Sequence, residues 1–142
     1  MSGPPSRPVP VPDETSAPYW EAAARGHLVL ARCSRCQRFS HPPGPVCPHC
    51  HATDHDPVFE QVAGSGTIRS WTTVHRSSLG GFDGDGPFTL VDVAVDGADD
   101  VRLIGRLVDG PDVPLTLGDR VVLAFEHLDD GVAVPAFTLA AR

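Results

Sequence analysis

Lysine is missing from this sequence: all 11 basic side chains among its 142 residues are arginine. The absence names no function by itself, but the placement of the arginines argues against one. Residues 1–51 carry five arginines against three acidic residues, a balance of +2, while residues 52–142 carry six against fifteen, a balance of −9. A polyphosphate backbone is held largely by cationic neutralisation, so the second part is a poor nucleic-acid surface and no nucleic-acid partner is expected. Long apolar runs are missing too. Nothing approaches the roughly 18 apolar residues of a membrane span, so no membrane partner is expected either. The opening stretch, "MSGPPSRPVPVPDETSAP", holds six prolines and lacks the apolar centre of a signal peptide. Residues 1–17 therefore read as an extended or disordered arm, with the cytoplasm as the default location. No internal repeat is found, and no helical period is sustained after Gly26.

What remains suits one compact domain, or a small knuckle attached to one. "SAPYWEAAARGH" predicts a short helix over residues 18–27, with Ser16 as cap, Pro18 in the first turn and Gly26 as the stop. Tyr19, Trp20 and Ala23 would share one side, either padding the elements behind them or offering a hydrophobic handle to a partner. From Leu28 the pattern turns extended. "LVLARC" leads into a cysteine cluster and "PVFEQVAGSG" leads out of it. Five strand candidates then follow: "GTIRSWTTVH", "PFTLVDVAVDG", "VRLIGRLVDG", "DRVVLAFEHL" and "GVAVPAFTLA". Val91, Val93 and Val95 share a face of the second. In the fourth, Val121, Leu123, Phe125 and His127 alternate with Arg120, Val122, Ala124 and Glu126. "SSLGGFDGDGP", between the first two strands, is too polar and too rich in glycine to pack as an element and predicts a mobile loop. Five short strands favour a small closed barrel, with a sandwich as the alternative.

Every cysteine lies in "CSRCQRFSHPPGPVCPHC", as Cys33, Cys36, Cys47 and Cys50. Each C-x2-C pair lets a tight turn aim two sulfurs at one point, and two such turns facing each other form a tetrahedral cage of thiolates. Zinc suits that cage in a reducing compartment, in a structural role with no open position to activate water. Iron in a rubredoxin-like electron carrier is the rival, and thioredoxin-type exchange lacks its helix start. His41, His49, His51 and His55 lie in or just after the cluster and read as solvated or capping imidazoles rather than ligands. Arg32, Arg35 and Arg38 surround it. They either offset the net negative charge of a tetrathiolate site or hold an anionic ligand such as the phosphates of coenzyme A.

Taken together, "PYWEAAARGHLVLARCSRC", "PPGPVCPHC" and "GSGTIRSWTTVHR" resemble the zinc-ribbon plus OB-fold family of acyl-CoA-associated accessory proteins, a family long known as a domain of unknown function. The likeness runs from about Tyr19 to Leu139. It rests on a helix with an aromatic-Trp pair, a double knuckle with Pro-Pro before its second half, and a Gly-x-Gly-Thr strand ending in histidine. The resemblance implies a mainly β fold: an N-terminal helix, a rubredoxin-like zinc ribbon over residues 28–56, and a five-stranded OB-fold barrel over residues 57–142. It implies Cys33, Cys36, Cys47 and Cys50 as the ligands of a structural zinc ion. It also implies a partner, a thiolase-like enzyme (thiolase, acyltransferase or aldolase) in a hetero-oligomer, whose reactive residues act on an acyl-CoA or acyl carrier protein substrate that this chain helps to position. Arg38, His41, Trp20, Trp71 and His75 are the candidate contacts to that partner or to acyl-CoA. Where the family often has glycine, an aromatic residue and arginine, this chain has Gln37, His41 and Gly44, which weakens the grip expected on a coenzyme A phosphate; Arg38 matches a basic position.

A self-sufficient enzyme would need a nucleophile or an acid–base pair. Ser77, Ser78, His75, His127 and Asp92 are the free candidates, and no Gly-x-Ser-x-Gly elbow accompanies the serines. No catalytic residue is assigned. A nucleic-acid module would need stacking rings on the barrel, for which Trp71, Phe82 and Phe88 are available, but it would also need a cationic groove that the −9 balance does not provide.

Overall fold

The computed structural model describes residues 6–82 and 84–141. Its one α-helix, α1, runs Ala17–Ala24. Ser16 stands at the N-cap but makes no capping bond. Its hydroxyl donates to Asp13 Oδ1 at 2.8 Å instead, and the Ala17 N–H donates to the Asp13 carbonyl at 2.8 Å, so a turn closed by Asp13 starts the helix. At the far end Gly26, at φ +80°, lets its own N–H reach the Ala23 carbonyl and that of His27 the Ala22 carbonyl, both at 2.9 Å. These paired bonds are the Schellman stop that a glycine in this position permits. Tyr19, Ala22 and Ala23 form the buried stripe and Trp20 is half-buried beside it.

Strand β1 (Val29–Arg32) is the centre of a three-stranded antiparallel sheet, flanked by β2 (Phe39–Ser40) and β3 (Val58–Gln61). The β1–β2 hairpin carries Cys33 and Cys36, and the connection from β2 to β3 carries Cys47 and Cys50. β3 pairs with β1 from Arg32↔Val58 to Val29↔Gln61, so the strand that leads out of the cysteine cluster belongs to this sheet. Five further strands close a barrel. They are β4 (Ser65–Val74), β5 (Phe88–Val95), β6 (Arg102–Leu107) and β7 (Arg120–Leu123), followed, after a small hairpin of β8 (Glu126–His127) and β9 (Ala133–Val134), by β10 (Ala136–Leu139). Their order is β10-β6-β5-β4-β7, with β10 parallel to β6 and antiparallel to β7. Closure settles the choice between barrel and sandwich. The fourth and fifth strand candidates are each split in two, because the chain leaves the barrel at Ala124 to build the β8–β9 hairpin and re-enters it after Pro135.

Alternation fills the barrel. Val91, Val93 and Val95 point inward together with Ile68, Leu103, Leu107, Val121 and Phe137, all 3 % exposed or less. Tyr19, Leu28 and Leu30 join the same buried cluster, so helix, ribbon and barrel share one core.

The proline-rich arm reads from the sequence as extended or disordered. Residues 1–5 lie outside the described part, but from residue 6 the arm is fastened to the barrel. The Arg7 guanidinium bridges Asp85 and Glu126 and lies 5.0 Å from the Phe82 ring centre, while Arg106 reaches Asp85 at 2.7 Å from the other side. Gly81 makes room for this. At φ +89°, a Cβ there would stand 2.5 Å from the Arg7 backbone nitrogen. The glycine-rich loop is therefore anchored at Asp85 by two arginines, a pairing that its local composition does not encode.

Candidate metal centre and docking residues

The two C-x2-C turns fold alike because each makes the same backbone bonds. Cys33 N–H donates to the Arg38 carbonyl and Cys47 N–H to that of Ala52, both at 3.0 Å; Gln37 N–H donates to Cys33 and His51 N–H to Cys47, both at 2.9 Å. The residue four places after each leading cysteine turns left-handed, Gln37 at φ 65° and His51 at φ 61°. Glycine is favoured in that conformation, which gives a physical reason for a glycine at the position of Gln37. The Arg35 and Cys36 N–H groups point at Cys33 Sγ from 3.4 and 3.5 Å.

The result is four sulfurs within 4.8 Å of one another, with Cys33 and Cys47 buried, Cys36 half-buried and Cys50 exposed. Cys33 and Cys50 are 3.8 Å apart, and Cys36 and Cys47 are 3.7 Å apart. A tetrahedron with metal–sulfur bonds of about 2.3 Å has edges of about 3.8 Å, so the four thiols fit a tetrahedral metal ion. The thiols are also unequal. A backbone hydrogen bond from Cys50, assisted by one from His49, pulls the Cys47 thiol down to about 6. The Arg38 N–H favours the Cys36 thiolate as well, but burial and the neighbouring sulfurs outweigh it and push that thiol up to about 11. A divalent cation would remove this conflict, since it favours all four thiolates at once.

The histidines brace the cage. His49 Nε2 donates to the Phe39 carbonyl at 2.9 Å and His55 Nε2 to the Gly44 carbonyl at 2.8 Å, tying the second loop to the hairpin. His55 is 4 % exposed, and its Nδ1 has no hydrogen-bond partner among the described residues. The reading of these imidazoles as capping groups did not identify the two carbonyls, which lie 10 and 11 residues away in sequence. The surrounding arginines are committed to carboxylates: Arg32 to Glu60 at 3.1 Å, Arg35 to Asp54 at 2.6 Å, and Arg38 to Asp100 with its Nε at 2.9 Å. The last of these pairs ties the ribbon to the β5–β6 turn, and the guanidinium holds the Asp100 carboxyl below its usual range.

The candidate contact residues fall in two groups, Trp20, Arg38 and His41 on α1 and the ribbon, and Trp71 and His75 on and just after β4. On the ribbon side, the His41 ring packs against Tyr19 at a tilt of 41° with ring centres 4.7 Å apart, and Trp20 meets Tyr19 edge-on at 4.8 Å. Burial pushes the Tyr19 phenol up to about 12 and lowers the His41 imidazole, so this cluster is neutral. Arg38, on the β1–β2 hairpin, is exposed. On the barrel side, Trp71 is 41 % exposed on β4 and His75 is exposed just past the end of that strand.

Comparison with known proteins agrees with this architecture. Two family models match, the ChsH2 rubredoxin-like zinc ribbon domain over residues 20–56 and the ChsH2 C-terminal OB-fold domain over residues 59–126. A protein described as "Probable enoyl-CoA hydratase alpha subunit" from Thermomonospora curvata is 33 % identical over 131 residues, which are 92 % of this chain and 39 % of that protein. The chain thus spans well under half the length of this curated relative. Among solved structures, a chain of "Ltp2-ChsH2(DUF35) aldolase" matches with a TM-score of 0.78 and 30 % identity, covering 93 % of this chain and 99 % of that one. A DUF35-family protein of unknown function from Sulfolobus solfataricus matches with a TM-score of 0.60 and 11 % identity over 89 % of this chain and 86 % of its own, a likeness of fold alone.

Proposed function

The chain belongs to the ChsH2 family of rubredoxin-like zinc ribbons joined to OB-fold barrels, and from that membership we propose that it is a non-catalytic accessory subunit. It docks on a thiolase-like enzyme, whether thiolase, acyltransferase or aldolase, and helps to position that enzyme's acyl-CoA or acyl-carrier substrate. The observation that carries this reading is the match along 99 % of a chain whose solved structure is an Ltp2-ChsH2 aldolase. The name of the Thermomonospora relative, an enoyl-CoA hydratase subunit, supports acyl-CoA chemistry in the assembly.

In this reading Cys33, Cys36, Cys47 and Cys50 hold one zinc ion, which when bound stabilises the ribbon and has no position left for a substrate. The candidate reactive groups do not form a nucleophile–base pair. The Ser77 hydroxyl accepts the Leu79 N–H at 3.2 Å, and Asp92 is held by Arg102 at 2.8 Å. His75 makes no hydrogen bond among the described residues. No described helix is long and apolar enough to cross a membrane. Four thiols poised for metal suit a reducing compartment, and we place the protein in the cytoplasm.

The reading is tested by tagging the full chain, purifying it from its source and identifying what comes with it. A thiolase-like enzyme in near-stoichiometric amount, with about one zinc per chain, is the expected result. Iron in place of zinc would turn the ribbon into a rubredoxin-like site. A stable chain that elutes alone and converts acyl-CoA would end the accessory reading.

A further inference from the structure

β4 differs along its length. Ser65 to Thr67 lie between β5 and β7, whereas beyond the bulge at Ile68–Ser70 the ladder continues with β5 alone, from Ser70↔Asp92 to Val74↔Phe88. Ile68 is the last residue held from the other side, by backbone bonds of 2.9 Å with Asp119 and Gly118. From Arg69 to Val74 no second segment among the described residues pairs with the strand, so its outer edge presents free N–H and C=O groups. At about 3.3 Å per residue this edge is about 20 Å long, the length of an ordinary strand. An open edge in an otherwise closed barrel is a template for another chain.

The side chains along it are those of a contact surface. Ser70, Trp71 and Thr72 are exposed. Trp71 is 41 % exposed although its partner in register, Val91, is fully buried, and Leu79 in the following loop is 64 % exposed. Arg69 and Arg76 stand at the two ends. Arg7, Arg32, Arg35, Arg38, Arg102, Arg106 and Arg120 each hold a carboxylate. Arg69 and Arg76 hold none among the described residues, and neither does Arg25 at the end of α1, in a chain with 18 acidic residues. A second copy of the chain is a poor occupant. Antiparallel pairing of two such edges would set Arg69 of each copy near Arg76 of the other, like charge against like.

The geometry points to the outer edge of β4, Arg69–Val74, as the docking site for an extended acidic segment of the thiolase-like partner, which adds to the barrel as a strand with Trp71 as its apolar anchor and Arg69 and Arg76 receiving its carboxylates. This rests on the accessory reading above. The test uses the full chain and the thiolase-like enzyme recovered with it, each purified and remixed. Hydrogen exchange should show backbone amides within 69–74 becoming protected on complex formation. R69E/R76E should weaken binding about 30-fold or more, W71A about tenfold or more, and added salt should weaken the wild-type complex but not the double variant. All three side chains are exposed, so the variants should melt with the parent; the exchange measurement on wild type needs no variant at all.

A complex that forms while these amides exchange freely, and that R69E/R76E leaves intact, overturns the edge site and spares the accessory reading. If no complex forms, both fall. Submicromolar binding of a 20-residue oligothymidylate that W71A abolishes would make this edge a nucleic-acid surface and overturn the proposal. A concentration-dependent dimer of the isolated chain that R69E/R76E dissolves would overturn it in favour of self-pairing.

Discussion

Cys47→Ser is expected to strip the metal and unfold the ribbon while the barrel persists. Cys47 is fully buried, its Sγ is 3.7 Å from that of Cys36, and its thiol is pulled down to about 6, which makes it the sulfur best prepared to bind as thiolate. Serine keeps its proton and offers a hard oxygen, so the site loses a ligand and is left with a polar group buried among thiols. Apart from the cage, the loops from Cys33 to His55 are held by the His49 and His55 bonds and by ion pairs at the surface, with few buried apolar side chains. Most of their side chains reach solvent, and β2 contributes only two residues to the sheet. Structural zinc in small ribbons supplies apparent binding energies of about 10–16 kcal/mol, comparable with or larger than the net stability of a whole domain. The variant should retain well under half the zinc of the parent, melt about 10 °C lower or more, and lose amide protection over residues 33–55. Protection over β5 and β6 should remain, since Val91, Val93, Leu103 and Leu107 are buried inside the closed barrel. A variant that keeps its metal and melts with the parent would show that the cage does not hold the ribbon.

The second large effect is expected at Gly66, in the "GSGT" stretch. Gly66 lies where β4 crosses close to its neighbours, facing Val95 on β5 and Val121 on β7. A Cβ there would stand 2.3 Å from the Ala94 carbonyl oxygen and 2.6 Å from Val93 Cγ1. The first of these contacts is backbone in a paired strand and cannot swing aside. Gly66→Ala must therefore push β4 and β5 apart at the end of their ladder, and overpacking of this kind costs about 1–3 kcal/mol, with the upper end expected where the clash is with backbone. Gly64→Ala is the matched control. Its Cβ would meet Leu123 at 3.4 Å, an ordinary contact, and the cost should stay within about 1 kcal/mol. Urea unfolding of both variants checks the pair. Equal midpoints would mean that the close approach at Gly66 is readily relieved.

How much of this was legible in the sequence depended on range. The cage was legible because its information is local: two C-x2-C turns repeat one set of backbone bonds, and the same offset of four residues places Gln37 and His51 in left-handed positions. Val91, Val93 and Val95 announced the inner face of β5 through a period of two. The helix stop at Gly26 was legible for the same reason, whereas its start was not, because Ser16 turned its hydroxyl back to Asp13. The features that escaped depend on residues far apart in the chain. Arg7 meets Asp85 and Glu126 across 78 and 119 positions, and nothing near Arg7 marks it as the fastener of the arm. Arg38 was read against the anionic cage, but its carboxylate partner is Asp100, 62 residues on. The split of "DRVVLAFEHL" into β7 and β8 likewise follows from a hairpin partner, Ala133–Val134, that no periodicity within the segment reports. Which glycine of "GSGT" is irreplaceable is set by how closely β5 approaches, a property of the closed barrel.

The central claim is that a metal-braced ribbon and barrel lend their surface to chemistry carried out by another chain. The most direct measurement is acyl-CoA turnover by three samples under one condition: this chain alone, the co-purified thiolase-like enzyme alone, and the two recombined. The account predicts no turnover by the first, little by the second, and full activity on recombination. Turnover by the isolated chain at a rate matching the mixture, or a partner whose activity is unchanged by its addition, would contradict it.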